Sequence, residues 1–239
     1  GSGGPRLFES NVPLAPLLAQ LSRNARDSAN GDGGDGGGLD VSLLLTGPPG
    51  TGKTALAHHL ARAVDRPLVI KRASDLLSRW VGGTEAAIAD AFREARERGH
   101  VLLFDEVDSL LFDRGTATTS WEAGQVNEML TWLDRHPLPV IAATNHAHRL
   151  DAAALRRFVF KIDLAPLGAS RAALAFERFF AMPAPTGIAH LGHLTPGDFA
   201  AVKRQLRHRP ARDTDDLLER LASEGAWRPA RAKLGFCPA

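Results

Sequence analysis

The sequence has one cysteine and no tyrosine among its 239 residues, and it contains no long run of apolar side chains. Because Cys237 has no second cysteine to pair with, an internal disulfide is excluded, and we expect a reducing compartment, the cytoplasm. A bilayer span needs about 18 consecutive apolar residues. We therefore expect neither a membrane span nor a secretory signal peptide.

The sequence also has little net charge, with 29 basic and 27 acidic residues giving +2. No long basic run is present, so charge does not indicate a nucleic-acid partner. The nine histidines lack a cysteine or carboxylate at a familiar zinc spacing. Neither H-E-x-x-H nor G-x-S-x-G occurs, which argues against a zinc protease or a serine hydrolase.

Composition divides the chain into three predicted parts. Residues 1–38 hold a glycine-rich start typical of an expression-tag remnant, a short helical pattern and a glycine-rich linker. Residues 39–165 alternate apolar runs with helical patterns, which predicts an α/β domain with a parallel sheet covered by helices on both faces. Residues 166–239 keep only helical patterns and predict a small all-helical domain, in which Thr195 and Asp198 form a capping box.

The predicted strands and helices of this α/β plan can be placed along the chain. The strands are expected at 41–45, 68–71, 101–104, 139–144 and 158–164. The helices are expected from about Lys53 and at 84–98, 122–134, 169–181, 196–208 and 213–224.

The segment GPPGTGKT lies between the first apolar strand and a helical stretch, and it fits the phosphate-loop pattern G-x-x-x-x-G-K-[ST]. Its glycines let backbone N–H groups converge on phosphate oxygens at the positive end of the new helix. Lys53 is predicted to reach the outer phosphates and Thr54 to hold Mg²⁺. The predicted nucleotide-binding residues are Gly47, Pro48, Pro49, Gly50, Thr51, Gly52, Lys53, Thr54 and Asp105.

Carboxylate and amide side chains follow two further apolar runs. Asp105 and Glu106 end the run VLLFDE, and ligands in open parallel sheets bind at the carboxyl ends of strands. We expect Asp105 to hold Mg²⁺ through water and Glu106 to polarise the attacking water. Asn145 follows the run PVIAAT and could orient that water. The alternatives are a solvated acidic turn and an asparagine that only ends a strand.

Two arginines, Arg156 and Arg157, end a short helical pattern beginning near Asp151. Arginine at this position can cap the helix carboxyl terminus. It can also act as an arginine finger, which stabilises charge on the transferred phosphoryl group. The sequence leaves both interpretations open.

The motifs GPPGTGKT, FDEVD, AATN and LDAAALRRF, in this order, resemble those of the AAA ATPases, in the branch that includes katanin and spastin and related bacterial proteins. The resemblance covers residues 40–165 strongly and the helical part, as a lid domain, more loosely. It implies a P-loop NTPase that hydrolyses ATP with Mg²⁺ and works as a ring, commonly a hexamer. Asn145 matches the residue called sensor 1, and Arg156 and Arg157 match paired arginines that complete a neighbouring subunit's site.

The resemblance also assigns a role to Trp80, Val81 and Gly82. They match the loop that projects into the central pore of the ring and grips polypeptide. The alternative is that Trp80 shares a helical face with Leu76 and packs in the core. We expect exposure, because the glycines allow a sharp turn and Thr84 is a plausible cap for the next helix.

The resemblance leaves two segments and the type of substrate open. Val12 is a candidate adenine contact, and the loop at 112–122 could face the pore or simply lie at the surface. The predicted function is remodelling, unfolding or disassembly of protein substrates by threading. The alternatives are a nucleic-acid motor or clamp-loader-like ATPase, since tryptophan can stack on bases, and an ATP-dependent switch or scaffold.

Overall fold

The computed structural model describes residues 7–29, 41–78, 80, 82–112 and 120–226. Its strands are β1 (Glu9–Ser10), β2 (Ser42–Thr46), β3 (Leu68–Arg72), β4 (Val101–Asp105), β5 (Val140–Thr144) and β6 (Phe160–Ala165). They form a sheet in the order β1-β6-β2-β5-β4-β3. All neighbouring strands are parallel except β1, which pairs antiparallel with β6.

Burial explains why β2, β5 and β4 lie in the middle of the sheet. Four of the five residues in β2 and in β4, and all five in β5, are buried. Continuous apolar runs are typical of parallel strands that helices cover on both faces. The edge strand β3 is more open, and the residue Ile70 is 39% exposed.

Helices cover both faces of this sheet. Leu43 and Leu45 of β2 pack in one apolar cluster with the helices at Leu14–Ala29 and Lys53–Ala63, whereas Leu44 belongs to a second cluster with the helices at Gly83–Arg98 and Ser120–Arg135. This alternation follows from the two-residue period of a strand. The predicted α/β fold is therefore confirmed. The helices are α1 (Leu14–Ala29), α2 (Lys53–Ala63), α3 (Ala73–Leu76), α4 (Gly83–Arg98), α5 (Ser120–Arg135) and α6 (Ala152–Arg157).

The chain divides into two compact units, Gly1–Ala165 and Pro166–Ala239. Residues 166–226 of the second unit contain helices α7 (Ala169–Phe180), α8 (Pro196–Gln205) and α9 (Thr214–Ala226) and no strand. Phe176 and Phe199 are fully buried in this unit. The capping box is confirmed, since the Asp198 carboxylate accepts the Thr195 backbone N–H at 2.7 Å.

None of the described helices combines the length and apolar character needed to cross a bilayer.

Candidate nucleotide site

The phosphate loop connects β2 to α2 and contains two positions that only glycine fits. Gly47 has φ +133°, and a Cβ there would collide with the Leu164 carbonyl oxygen. Gly52 has φ +97°, and a Cβ there would lie 2.7 Å from the Phe8 ring. A side chain at either position would have to adopt a rare backbone conformation and displace a neighbour. These two contacts explain the glycines without reference to a ligand.

Thr51 holds the loop in shape from within. Its hydroxyl donates to the Pro48 carbonyl at 2.8 Å, and only 1% of the residue is exposed. Pro49 and Gly50 are exposed at the tip of the loop, and Thr54 is half-buried in the first turn of α2. The loop therefore presents its tip to solvent while Thr51 fixes its base.

Lys53 is the first residue of α2, and oxygen atoms surround its ammonium group. Nζ donates to the Gly47 carbonyl at 2.7 Å, the Pro48 carbonyl at 3.1 Å and the Asn145 Oδ1 at 2.6 Å. Only 9% of the residue is exposed. Burial lowers the pKa of Lys53 to about 8, although Asp105 and Asp163 act in the opposite direction. The structure thus brings Lys53 and Asn145 together across 92 positions of sequence.

The predicted carboxylates lie where the parallel strands end, on the side of the sheet that also carries the phosphate loop, which we call the carboxyl edge. Asp105 ends β4, and its Oδ1 accepts the Glu106 backbone N–H at 3.0 Å. Glu106 is exposed and has a left-handed backbone, with φ 56° and ψ 40°. Such a conformation in a residue other than glycine costs roughly 1–3 kcal/mol and is often found at functional sites. The turn at Glu106 moves the chain out of the strand immediately after Asp105.

Two residues that the sequence reasoning missed join the turn after β4 to the end of β5. The Thr144 hydroxyl donates to the Asp108 carboxylate at 2.6 Å and accepts the His146 backbone N–H at 2.9 Å. Thr144 precedes Asn145 directly, so these bonds fix the backbone that carries the predicted amide. The second acid of FDEVD was the available signal, but its partner is 36 residues away.

Phe8 was also missed. Its ring lies against Gly52 and makes an edge contact with the His59 ring, with centroids 5.8 Å apart. Val12, the predicted adenine contact, is half-buried and packs against the α1 and α2 side of the core. A lone phenylalanine before the first helix offers no periodic signal, so only the fold reveals its position beside the phosphate loop.

The paired arginines occupy different environments at the end of α6. Arg157 donates through Nε to the Asp134 carboxylate at 2.9 Å and through Nη1 to the Ala153 carbonyl at 3.1 Å. Arg156 is exposed. The contact with Ala153 is the helix-capping interaction that the sequence left open. The described contacts of the Arg157 guanidinium are thus with α5 and its own helix.

Trp80 is exposed, with 83% of the residue accessible to solvent. The core alternative is therefore wrong, because α3 ends at Leu76 and Leu77 already has an extended backbone, so Trp80 does not continue that helical face. Gly82, with φ 79°, is the cap of α4. The expected cap at Thr84 is wrong, since Thr84 lies inside α4, is 3% exposed and accepts the Ser78 backbone N–H at 2.9 Å. Val81 and the loop at 113–119 lie outside the described residues.

The sheet order, the phosphate loop between β2 and α2, and the acidic end of β4 define a P-loop nucleoside triphosphatase. A narrower assignment comes from comparison with known families. The family model described as "ATPase family associated with various cellular activities (AAA)" matches residues 43–166. The chain belongs to this AAA family of ATP-hydrolysing enzymes, as the four motifs predicted.

Three relatives show how far the similarity extends. Protein SAV of Sulfolobus acidocaldarius is 42% identical over 120 residues, which is 48% of this chain and 15% of that protein. Protein SUPPRESSOR OF K(+) TRANSPORT GROWTH DEFECT 1 of Arabidopsis thaliana is 31% identical over 205 residues, 79% of this chain and 47% of that protein. Spastin of Drosophila virilis is 31% identical over 207 residues, which is 80% of this chain and 27% of that protein. The matches thus span less than half the length of these relatives.

The spastin match confirms the predicted resemblance to this branch of the family.

Proposed function

We propose that this chain is the motor domain of a ring-forming AAA ATPase, a hexamer by family resemblance, which remodels or unfolds polypeptide substrates threaded past Trp80. The observation that carries the ATPase part is the contact between Lys53 and Asn145 at the carboxyl edge of the sheet, 2.6 Å long. This contact places the phosphate-binding cation and the predicted water-orienting amide in one site.

The side chains around Lys53 suit ATP and Mg²⁺. Thr54 offers a hydroxyl in the first turn of α2, and Asp105 offers a carboxylate at the end of β4. Oxygen ligands of these types are those that Mg²⁺ prefers. When bound, Mg²⁺ would neutralise charge on the phosphates. Lys53 would bind the outer phosphate oxygens in place of the loop carbonyls that it contacts in the structure.

Glu106 and Asn145 would activate the water that attacks the terminal phosphate. The Glu106 carboxylate is exposed beside Asp105, where it can accept a proton from water. The backbone before Asn145 is fixed by Thr144, whose hydroxyl bonds to Asp108. Asn145 could therefore hold water in line with the bond that breaks.

One of the paired arginines would act on the nucleotide of a neighbouring subunit. Arg156 is exposed and is the better candidate for the finger, since Arg157 is already paired with Asp134. Arg157 would then support the end of α6. This division of roles refines the expectation that both arginines reach the neighbour.

The replacement Glu106→Gln tests the proposed chemistry. We expect ATP turnover to fall by about 10²–10⁴, because the amide cannot accept the proton, while the affinity for ADP stays the same. Glu97→Gln, which changes an exposed glutamate of α4 in the same way, serves as the control. Unchanged turnover in Glu106→Gln would show that another group is the general base.

Exposure of Trp80 supports threading of a polypeptide. We expect an unfolded, neutral polypeptide to stimulate ATP turnover in the wild type and in Trp80→Phe but not in Trp80→Ala. Val159→Ala removes another exposed apolar side chain, 64% accessible, and should behave as wild type. Stimulation in Trp80→Ala equal to wild type would refute threading by this residue.

Single-stranded DNA distinguishes the main alternative. If DNA stimulated turnover in a salt-sensitive manner and polypeptide did not, the nucleic-acid motor would replace threading of polypeptide. A chain that binds ATP without turnover would instead be a switch or scaffold. The cytoplasmic location stays a prediction.

A further inference from the structure

A surface pocket with a volume of about 640 Å³ lies at the edge of the sheet opposite the phosphate loop. Its lining includes Pro67 and Gly99, which shortly precede β3 and β4. The phosphate loop follows β2, and the strands are parallel. Since five residues of strand span about 16 Å, this pocket is separate from the nucleotide site.

Arginine side chains from three parts of the fold line this pocket. Arg26 comes from the last turn of α1, Arg62 from the last turn of α2 and Arg98 from the last turn of α4. Arg66 follows α2, and Asp65 is the carboxylate in the lining. The lining therefore contains four basic residues and one acidic residue.

The ordinary explanation for each arginine is a favourable interaction with the carboxyl end of its own helix. The three helix ends together carry roughly −1.5 charges, about −0.5 each. Added to Asp65 and to Glu94, which pairs with Arg98, this gives about −3.5 charges against the +4 of the four guanidinium groups. The helix ends therefore account for the position of each arginine but leave the pocket positive.

Much of the donor capacity of these arginines is available to a ligand. A guanidinium group has five N–H donors. Arg66 uses Nη1 on the Gly99 carbonyl at 3.0 Å, Arg98 pairs with Glu94 at 3.2 Å and Arg26 contacts the Ser22 hydroxyl at 3.3 Å. Among the described residues, the Arg62 side chain has no hydrogen-bond or ion-pair partner. Each of these arginines can still donate to an anion.

From this geometry we infer a second anion site, which binds a small molecule carrying two or more phosphate groups. The volume lies in the range of small-molecule pockets, about 300–1,000 Å³, which favours a small ligand over a folded partner. Arginine binds phosphate through paired, charge-assisted hydrogen bonds. Guanidinium groups from separate elements suit tetrahedral phosphates, which accept in several directions, better than planar carboxylates.

Inorganic tripolyphosphate is the probe for this site. Binding is measured by calorimetry with the Lys53→Ala variant as background, because this replacement weakens binding at the phosphate loop. We compare Arg26→Ala/Arg98→Ala with Arg23→Ala/Arg93→Ala in that background. The second pair changes exposed arginines of the same two helices, and each of these also has a neighbouring side-chain partner. Both pairs remove two positive charges.

We expect the affinity for tripolyphosphate to fall at least tenfold in the Arg26/Arg98 pair and less than about threefold in the control pair, because only the first pair removes direct phosphate contacts. If the Arg26→Ala/Arg98→Ala double variant does not fold, Arg62→Gln provides a second test, because its side chain has no partner to lose among the described residues. This variant should also weaken tripolyphosphate binding. Equal losses in both pairs, or no binding at all, would overturn the proposal. Citrate binding as tightly as tripolyphosphate would overturn the assignment to phosphate compounds.

Discussion

The lowered pKa of Lys53 predicts that nucleotide binding weakens as the pH rises above about 8. Burial brings the pKa of this ammonium from 10.5 to about 8. Phosphate oxygens favour the charged form, so a bound nucleotide raises the pKa again. Above pH 8 the Lys53 side chain of the nucleotide-free protein is mostly neutral, so it must take up a proton when a nucleotide binds.

The linkage between protonation of Lys53 and nucleotide binding gives the size of the pH effect on affinity. For one group with a pKa of about 8, the dissociation constant of ADP should rise about tenfold per pH unit, between pH 8 and the pKa of the bound state. If the bound pKa returns to about 10.5, the site takes up about 0.8 proton at pH 8.5 but only about 0.1 at pH 7. The phosphates themselves, with a second pKa near 6, contribute little in this range.

Calorimetry in two buffers of different ionisation enthalpy measures the proton uptake. Lys53→Arg is the informative variant, because arginine stays charged and should abolish the uptake even if affinity falls. Lys71→Gln, at a lysine of β3 paired with Glu94, should keep the wild-type uptake. Equal uptake at pH 7 and pH 8.5, or persistent uptake in Lys53→Arg, would refute the assignment to Lys53.

Three further predictions follow from individual contacts. Burial lowers the pKa of His136 to about 4, so on acidification the unfolded chain binds a proton that the folded chain does not. The free energy of unfolding should therefore fall by up to about 3 kcal/mol between pH 6.5 and pH 4. In thermal melts, this acid-induced loss of stability should be smaller in His136→Leu and unchanged in the exposed control His190→Leu. Gly47→Ala should cost about 1–3 kcal/mol of stability and more than tenfold in ADP affinity, whereas Gly225→Ala, which meets open space, should cost neither. Arg157→Ala should lower the free energy of unfolding by up to about 1 kcal/mol through loss of the half-exposed pair with Asp134, while Arg156→Ala should lower turnover at an unchanged melting temperature; the reverse pattern would exchange their roles.

The central strands could be predicted because each of them is a run of consecutive apolar residues that are buried. Leu43, Leu44 and Leu45 face both covered sides of the sheet, so their apolar run indicates a parallel strand without knowledge of its partners. The phosphate loop could be predicted for a similar reason, since its glycines, lysine and hydroxyl lie within eight residues. Local patterns of this kind need no tertiary information.

Features that depend on distant partners could not be predicted. β1 has only two residues, and it exists because Glu9 and Ser10 pair with Ala165 and Leu164 of β6. The Asn11 side chain reinforces this pairing by accepting the Asp163 backbone N–H at 2.8 Å. A two-residue strand has no measurable period. Thr84 was misassigned as a cap because a hydroxyl before a helical pattern looks the same whether it bonds forward into that helix or backward to Ser78.

The near balance of positive and negative residues conceals a separation of charge between the two edges of the sheet. At the carboxyl edge, Asp105 and Asp163 lie close enough to Lys53 to raise the pKa of this lysine, which burial lowers. At the amino edge, four arginines face one aspartate. The parallel order of β2 to β6 contributes to this difference, because β4 ends with Asp105 at one edge, whereas three helices that carry arginine in their last turn end at the other. A net charge of +2 therefore does not describe the local charge that a ligand would meet at either edge.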